Sequence, residues 1–164
     1  MPLQNRVTPF AEIARSSARG LFMGNRGVLH DENRELGAAR WRSERWIVCT
    51  LEPRPGRTTR RAVMAPGRYT ELFFLDEATA LAAGHRPCAH CRREAFGRFS
   101  SALSGVSEGG VLRSAREIDR NLHEERLTGT GAQRRTTASL ADVPDGAFRG
   151  GPENSDQCLE WIAC

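Results

Sequence analysis

A proline-led turn, Pro87-Cys88-Ala89-His90-Cys91, constrains this chain more than any other stretch. Two cysteines separated by two residues bring both sulfurs to one side of a turn, where they can share a metal ion. A structural zinc takes four thiolate or imidazole ligands in a tetrahedron. Pro87 stiffens the approach to the turn. The amides of a following helix, with Arg92 and Arg93, favour the thiolate form. The competing reading of Cys-x-x-Cys is a redox pair. That arrangement sets the motif directly after a strand in a βαβ unit, whereas here a helix and Gly84 come first. The chain has five cysteines. An odd number, with no export segment in view, argues against a disulfide framework and for metal binding or burial.

The neighbouring residues set the secondary structure. Trp46 to Leu51 is short, apolar and β-rich, and reads as a buried strand. Ala62-Val63-Met64 is a candidate return strand before Pro66-Gly67, and Tyr69 to Leu75 is a further strand rich in aromatic residues. Asp76 is an N-cap for a short helix over Glu77 to Ala83, and Gly84 is its stop. A second helix is expected from about Arg92 to Leu103. Ser104 to Gly110 reads as a flexible Gly/Ser connection. Ser114-x-x-Glu117 is a capping box that opens a third helix, to about Leu127, with Ile118 and Leu122 on one face. Thr8 to Met23 declares no state, Gly24-Asn25-Arg26-Gly27 is a turn, and the chain after the third helix reads as irregular.

The run Glu71-Leu72-Phe73-Phe74-Leu75-Asp76-Glu77-Ala78-Thr79-Ala80-Leu81-Ala82-Ala83-Gly84-His85-Arg86-Pro87-Cys88-Ala89-His90-Cys91-Arg92 resembles the second half of the metal-binding module of Ada-type DNA-repair proteins. That family shows a Phe-Phe strand, an Ala-rich helix, then Ala-Gly-aromatic-Arg-Pro-Cys-x-x-Cys-Arg. His85 stands at the aromatic position. The resemblance implies that Cys88 and Cys91 are zinc ligands. The family's upstream ligand pair matches poorly: His30 follows a Gly-Asn segment as in looser relatives, but Arg34 stands where the second ligand belongs. The methyl-accepting cysteine belongs to that pair, so methyl transfer is not implied. Met1 to Pro9 and Ala65 to Phe74 also resemble a bacterial family with no assigned activity. The expected fold is α+β: a small antiparallel sheet with short helices around a zinc knuckle, plus a C-terminal helix and an irregular tail. Residues 1–103 would form the Ada-like zinc-binding domain, 104–113 a flexible connection, 114–149 a helix with an irregular extension, and 150–164 a tail.

Two further zinc ligands are needed, or one and a water. His30 is the first positional candidate. Cys49 is the other upstream cysteine, and its alternative is a place in the core, common for free cysteine. His85 and His90 flank the knuckle, with His90 expected to point outward. His123 reads as a solvated helix residue, and Cys158 and Cys164 lie in the tail.

All 24 basic residues are arginine, and the formal net charge is +4. Codon bias accounts for such a composition, but guanidinium groups also pair bidentately with phosphates. A zinc module that meets DNA or RNA through Arg57, Arg60, Arg61, Arg86, Arg92 and Arg93 is therefore the first functional expectation. The alternative is an enzyme. His30-Asp31-Glu32 with Pro87-Cys88-Ala89-His90-Cys91 formally satisfies the His-x-Glu…Pro-Cys-x-x-Cys pattern of zinc-dependent nucleobase or nucleoside deaminases. There His30, Cys88 and Cys91 would hold Zn²⁺ and Glu32 would shuttle protons. A nuclease-like or protein-interaction role on the same zinc scaffold is the third reading, in which His30, Asp31 and Glu32 could ligate a catalytic metal, and the sequence does not separate that site from a polar turn. No apolar run is long enough to cross a membrane, and the N-terminus lacks an apolar signal core, so a cytoplasmic protein is expected.

Overall fold

The computed structural model describes residues 1–52, 62–106, 114–143, 147–150 and 159–162. The fold is α+β, built on a six-stranded sheet and three helices. The strands are β1 (Gln4–Val7), β2 (Ile13–Arg15), β3 (Phe22–Asn25), β4 (Ile47–Thr50), β5 (Leu72–Phe74) and β6 (Arg86–Pro87). The helices are α1 (Glu77–Ala82), α2 (Arg93–Val106) and α3 (Ala115–Arg126). Their order in the sheet is β2-β1-β5-β3-β4-β6.

The sheet is mixed, where an antiparallel one was expected. β1 runs parallel to β5, and β4 runs parallel to β6. The remaining neighbours are antiparallel. The segment without a declared state, Thr8 to Met23, supplies β2 and the start of β3. Gly24 and Asn25 end β3, and the turn lies beyond them. A side chain at Gly24 would meet the Ile47 carbonyl oxygen at 2.2 Å and the Phe74 ring at 2.9 Å. Only glycine therefore lets β3 lie this close to β4.

Local capping explains the helices. Asp76 accepts the Thr79 amide at 2.7 Å, and Gly84 follows α1 at φ +80°, a conformation that favours glycine. Ser114 and Glu117 close both bonds of a capping box on α3. Ile118 is buried, while Leu122 is half-buried. Helix α2 runs to Val106, beyond the expected end at Leu103 and into the segment read as a flexible connection. Ala62 to Met64 is not a strand. Met64 takes a left-handed turn at φ 55°, and its amide donates to the Glu71 carboxylate. The expected irregular C-terminal region forms a three-stranded sheet in the order β7-β9-β8: β7 (Thr136–Ala138), β8 (Phe148–Gly150) and β9 (Leu159–Ile162). No described helix is long and apolar enough to cross a membrane.

Val7, Ile13, Leu29, Val48, Leu72, Phe74, Ala80 and Ala83 make the apolar core. Beside it lies a charged one. Arg26 is 1% exposed and has no carboxylate partner among the described residues. Its guanidinium lies 4.0 Å from the centroid of the Trp46 ring, donates to the Ala11 carbonyl, and donates through Nε to His85 Nε2 at 3.3 Å. Arg126 lies 4.3 Å from the same ring centroid and caps the carbonyls of Gly84 and Glu44. His123, expected in solvent, stacks edge-on against Trp41 at 4.4 Å. Arg86 in β6 makes a two-pronged ion pair with Asp119 of α3, at 2.7 and 2.8 Å. This pair fastens α3 to the strand that leads into the knuckle. Truncating one member leaves the other charge buried and unpaired, at a cost of about 3–5 kcal/mol. Asp119→Ala should therefore lower stability by that amount in denaturant titration, and more than Arg86 and Asp119 replaced together by apolar residues.

His85 gives the fold a pH dependence. Burial holds its imidazole well below the ordinary range, and the charges of Arg26 and Arg126 add to this. The unfolded chain takes up a proton near pH 6.5 that the folded chain refuses. Stability is thus full above that pH and declines as pH falls below it, by at most about 1.4 kcal/mol per pH unit. Melting curves between pH 7.5 and 5 (chosen to bracket the ordinary imidazole value) should fall more steeply for the wild type than for His85→Gln, which carries no titrating group there.

Candidate metal centre

The site is a consequence of strand register. β4 and β6 pair in parallel, with Ile47 opposite Arg86 and Val48 opposite Pro87. One step further along both strands come Cys49 and Cys88, and the Cys88 amide donates to the Val48 carbonyl at 2.9 Å. Val48 is fully buried, so Cys49, its neighbour, projects from the opposite face. After Cys88 the chain turns at once. The Arg92 amide donates back to the Cys88 carbonyl at 3.0 Å, which swings Cys91 round beside Cys88. The sulfurs of Cys49, Cys88 and Cys91 lie within 4.8 Å of one another.

This geometry suits a metal ion. Zn–S bonds of about 2.3 Å at tetrahedral angles place ligand sulfurs about 3.8 Å apart, so the three need close by an ångström at most. The hydrogen bonding already favours a thiolate. Cys88 Sγ accepts the Cys49 thiol and the amides of Cys91 and His90, which pull Cys88 down to about 4 against its burial. Cys49, as the proton donor of that pair, is pushed up by its bond to Cys88 and by burial. These contacts make Cys88 the readier of the pair to ionise. An ion supplies the positive charge that lets Cys49 ionise as well.

Cys49 therefore joins the knuckle, and its core alternative gives way, because its strand position turns it from the core face. His30 does not join. Its Nε2–H donates to the Ala65 carbonyl at 3.3 Å, which leaves Nδ1 to accept the Thr70 hydroxyl at 2.6 Å. The same hydroxyl oxygen receives the Leu29 amide. Both ring nitrogens are thus spent on joining two loops. Asp31 is a turn former: its carboxylate accepts the amides of Asn33 and Glu35, which hold it below the usual range. Glu32 is exposed. The His30–Glu32 deaminase arrangement is not formed.

His85 is buried against Phe74 and Trp46, with ring centroids 4.6 and 5.2 Å away, so it packs as the aromatic residue at its position would. His90 is exposed, as expected. Of the arginines assigned to a phosphate-facing patch, two are consumed internally. Arg86 is paired with Asp119 and lies over Phe96. Arg92 pairs with Glu77 at 2.5 Å and lies over Phe22, with its side chain 9% exposed. Arg93 is exposed. Arg57, Arg60 and Arg61 lie outside the described residues, as do Cys158 and Cys164.

Comparison of the chain with family models, curated proteins and solved structures returns no match. The site stands on its own geometry. Cys49→Ser should weaken metal binding by more than the roughly 10–100-fold that loss of an outer partner costs. His30→Ala should leave affinity within about threefold while costing about 1–3 kcal/mol of stability, because the Thr70 hydroxyl and Ala65 carbonyl lose their partner. Competition titration against a chromogenic chelator separates the two effects.

Proposed function

We propose that this chain is a zinc-binding module in which Cys49, Cys88 and Cys91 hold one Zn²⁺ as a structural staple. The observation that carries this reading is the convergence of the three sulfurs from two paired strands and a turn. The ligand class selects the metal: soft thiolates on a compact turn suit zinc, while calcium and magnesium take oxygen. The Ada-like run from Glu71 to Arg92 supports the same assignment for Cys88 and Cys91. In the folded protein Arg86, Arg92 and the amides of the turn position the cysteines, and the ion adds a cross-link between β4 and the start of α2.

A role on DNA or RNA keeps the exposed Arg93 and loses Arg86 and Arg92, whose guanidiniums are already paired. The zinc reading does not depend on it.

Protein purified without chelator should contain about one zinc per chain. Zinc at a hundredfold excess over Kd contributes about 2.7 kcal/mol. At about 2–4 °C per kcal/mol for a chain of this size, removal should lower the melting temperature by about 5–10 °C. Metal analysis and thermal melting with and without chelator check both. Protein free of zinc, or an unchanged melting curve, would sink the reading.

A further inference from the structure

Three thiolates leave a tetrahedral ion one ligand short. Among the described residues no histidine, carboxylate or further cysteine joins Cys49, Cys88 and Cys91. The stretch that follows β4, Pro53 to Arg61, is made only of Pro, Arg, Gly and Thr, none of which is a zinc ligand. The knuckle itself opens on a groove. Cys88, Ala89 and His90 line it, together with Glu44, Arg45 and Arg116. Arg45 and Arg116 are both exposed.

We propose that the fourth position on the ion faces this groove and takes the thiolate of an exogenous small thiol that carries a second, anionic group. This rests on the zinc reading above. The donor class follows from the first three ligands, because a sulfur-rich site favours another soft donor. Charge sets the rest. Three thiolates on Zn²⁺ leave the centre at net −1, and a fourth makes it −2. Arg45 and Arg116, both exposed at the same groove as Glu44, lower that negative charge locally, and their guanidiniums are the groups with which the ligand's anionic end would pair. The exchange is a substitution without electron transfer: the bond from the ion to water breaks, the bond to sulfur forms, and the thiol proton passes to solvent.

Cobalt in place of zinc makes the exchange visible. The full chain loaded with Co²⁺ is titrated with 3-mercaptopropionate and, separately, with 2-mercaptoethanol. The sulfur-to-cobalt charge-transfer band should grow by about a third as three thiolates become four. The anionic thiol should half-saturate at about fivefold lower concentration, the scale of a partly exposed ion pair. Arg45→Ala with Arg116→Ala should erase that preference and leave cobalt affinity unchanged. Cys158→Ser with Cys164→Ser should behave as wild type. A cobalt site that forms one-to-one but ignores both thiols is closed, which overturns the open position and leaves the zinc reading intact. A weaker band in the Cys158/Cys164 variant before any thiol is added also overturns it, since the chain then supplies its own fourth sulfur. Equal affinity for the two thiols, or a preference that survives loss of both arginines, overturns the anionic ligand. Failure to bind cobalt at all removes the zinc reading with it.

Discussion

The convergence of the three cysteines depends on one parallel pairing, β4 against β6, which is only two residues long. Cys49 and Cys88 are 39 positions apart in the sequence. Among the described residues between them, β5 and α1 carry the chain back to the edge of β4. The pairing is short, so other forces must hold it. The amides of Arg86 and Cys88 donate to the carbonyls of Trp46 and Val48, at 3.1 and 2.9 Å. The Arg86 side chain reaches Asp119, and Arg126 caps the carbonyls of Gly84 and Glu44 on both sides of the seam. Helix α3 thus serves as a clamp on β6. The capping box at Ser114 starts that helix, and through it contributes to the position of a cysteine it does not touch.

The parts of the fold that were legible are those written in neighbouring residues. Asp76 and Thr79, Gly84, Ser114 and Glu117 and the Cys-x-x-Cys turn act over three or four positions, and each lies where its chemistry places it. What could not be read depends on partners far away. β1 and β2 alternate weakly and gain their pairing from each other and from β5. A parallel pair has no hairpin turn to announce it. Cys49 against His30 as third ligand was the same kind of question. The choice turned on register, since a one-residue slip sends every side chain to the other face. His30 had the better spacing, yet Thr70 and Ala65 meet both of its nitrogens first.

Arg86 and Arg92 turned inward for a related reason. A guanidinium suits a phosphate and a buried carboxylate equally well, and sequence does not show which one it faces. In this chain, without lysine, arginine also fills places that need a flat, stacking cation. Arg26 and Arg126 lie over Trp46, Arg92 over Phe22 and Arg86 over Phe96. A buried Arg26 without a carboxylate is costly to keep charged, and burial with the nearby Arg126 lowers it to about 9. Its compensation comes from the Trp46 ring, the Ala11 carbonyl and a neutral His85, an arrangement that fails once His85 takes a proton.

The order of assembly follows from where the backbone bonds lie. In small zinc fingers no sheet of comparable size exists without the ion, so binding and folding are one event. Here β3, β4 and β5 are joined by antiparallel ladders with no cysteine needed, and the core of Val48, Leu72 and Phe74 forms on the face away from Cys49. The hydrogen bond between Cys49 and Cys88 joins β4 to the knuckle without any metal. An ion entering this site would meet two of its ligands already placed by strand register and the third by a closed turn. Little ordering entropy then opposes binding. For the same reason an ion bound here would add stability to a formed sheet and would not nucleate one, so its removal would loosen the β4–β6 edge and the start of α2 ahead of the rest of the protein.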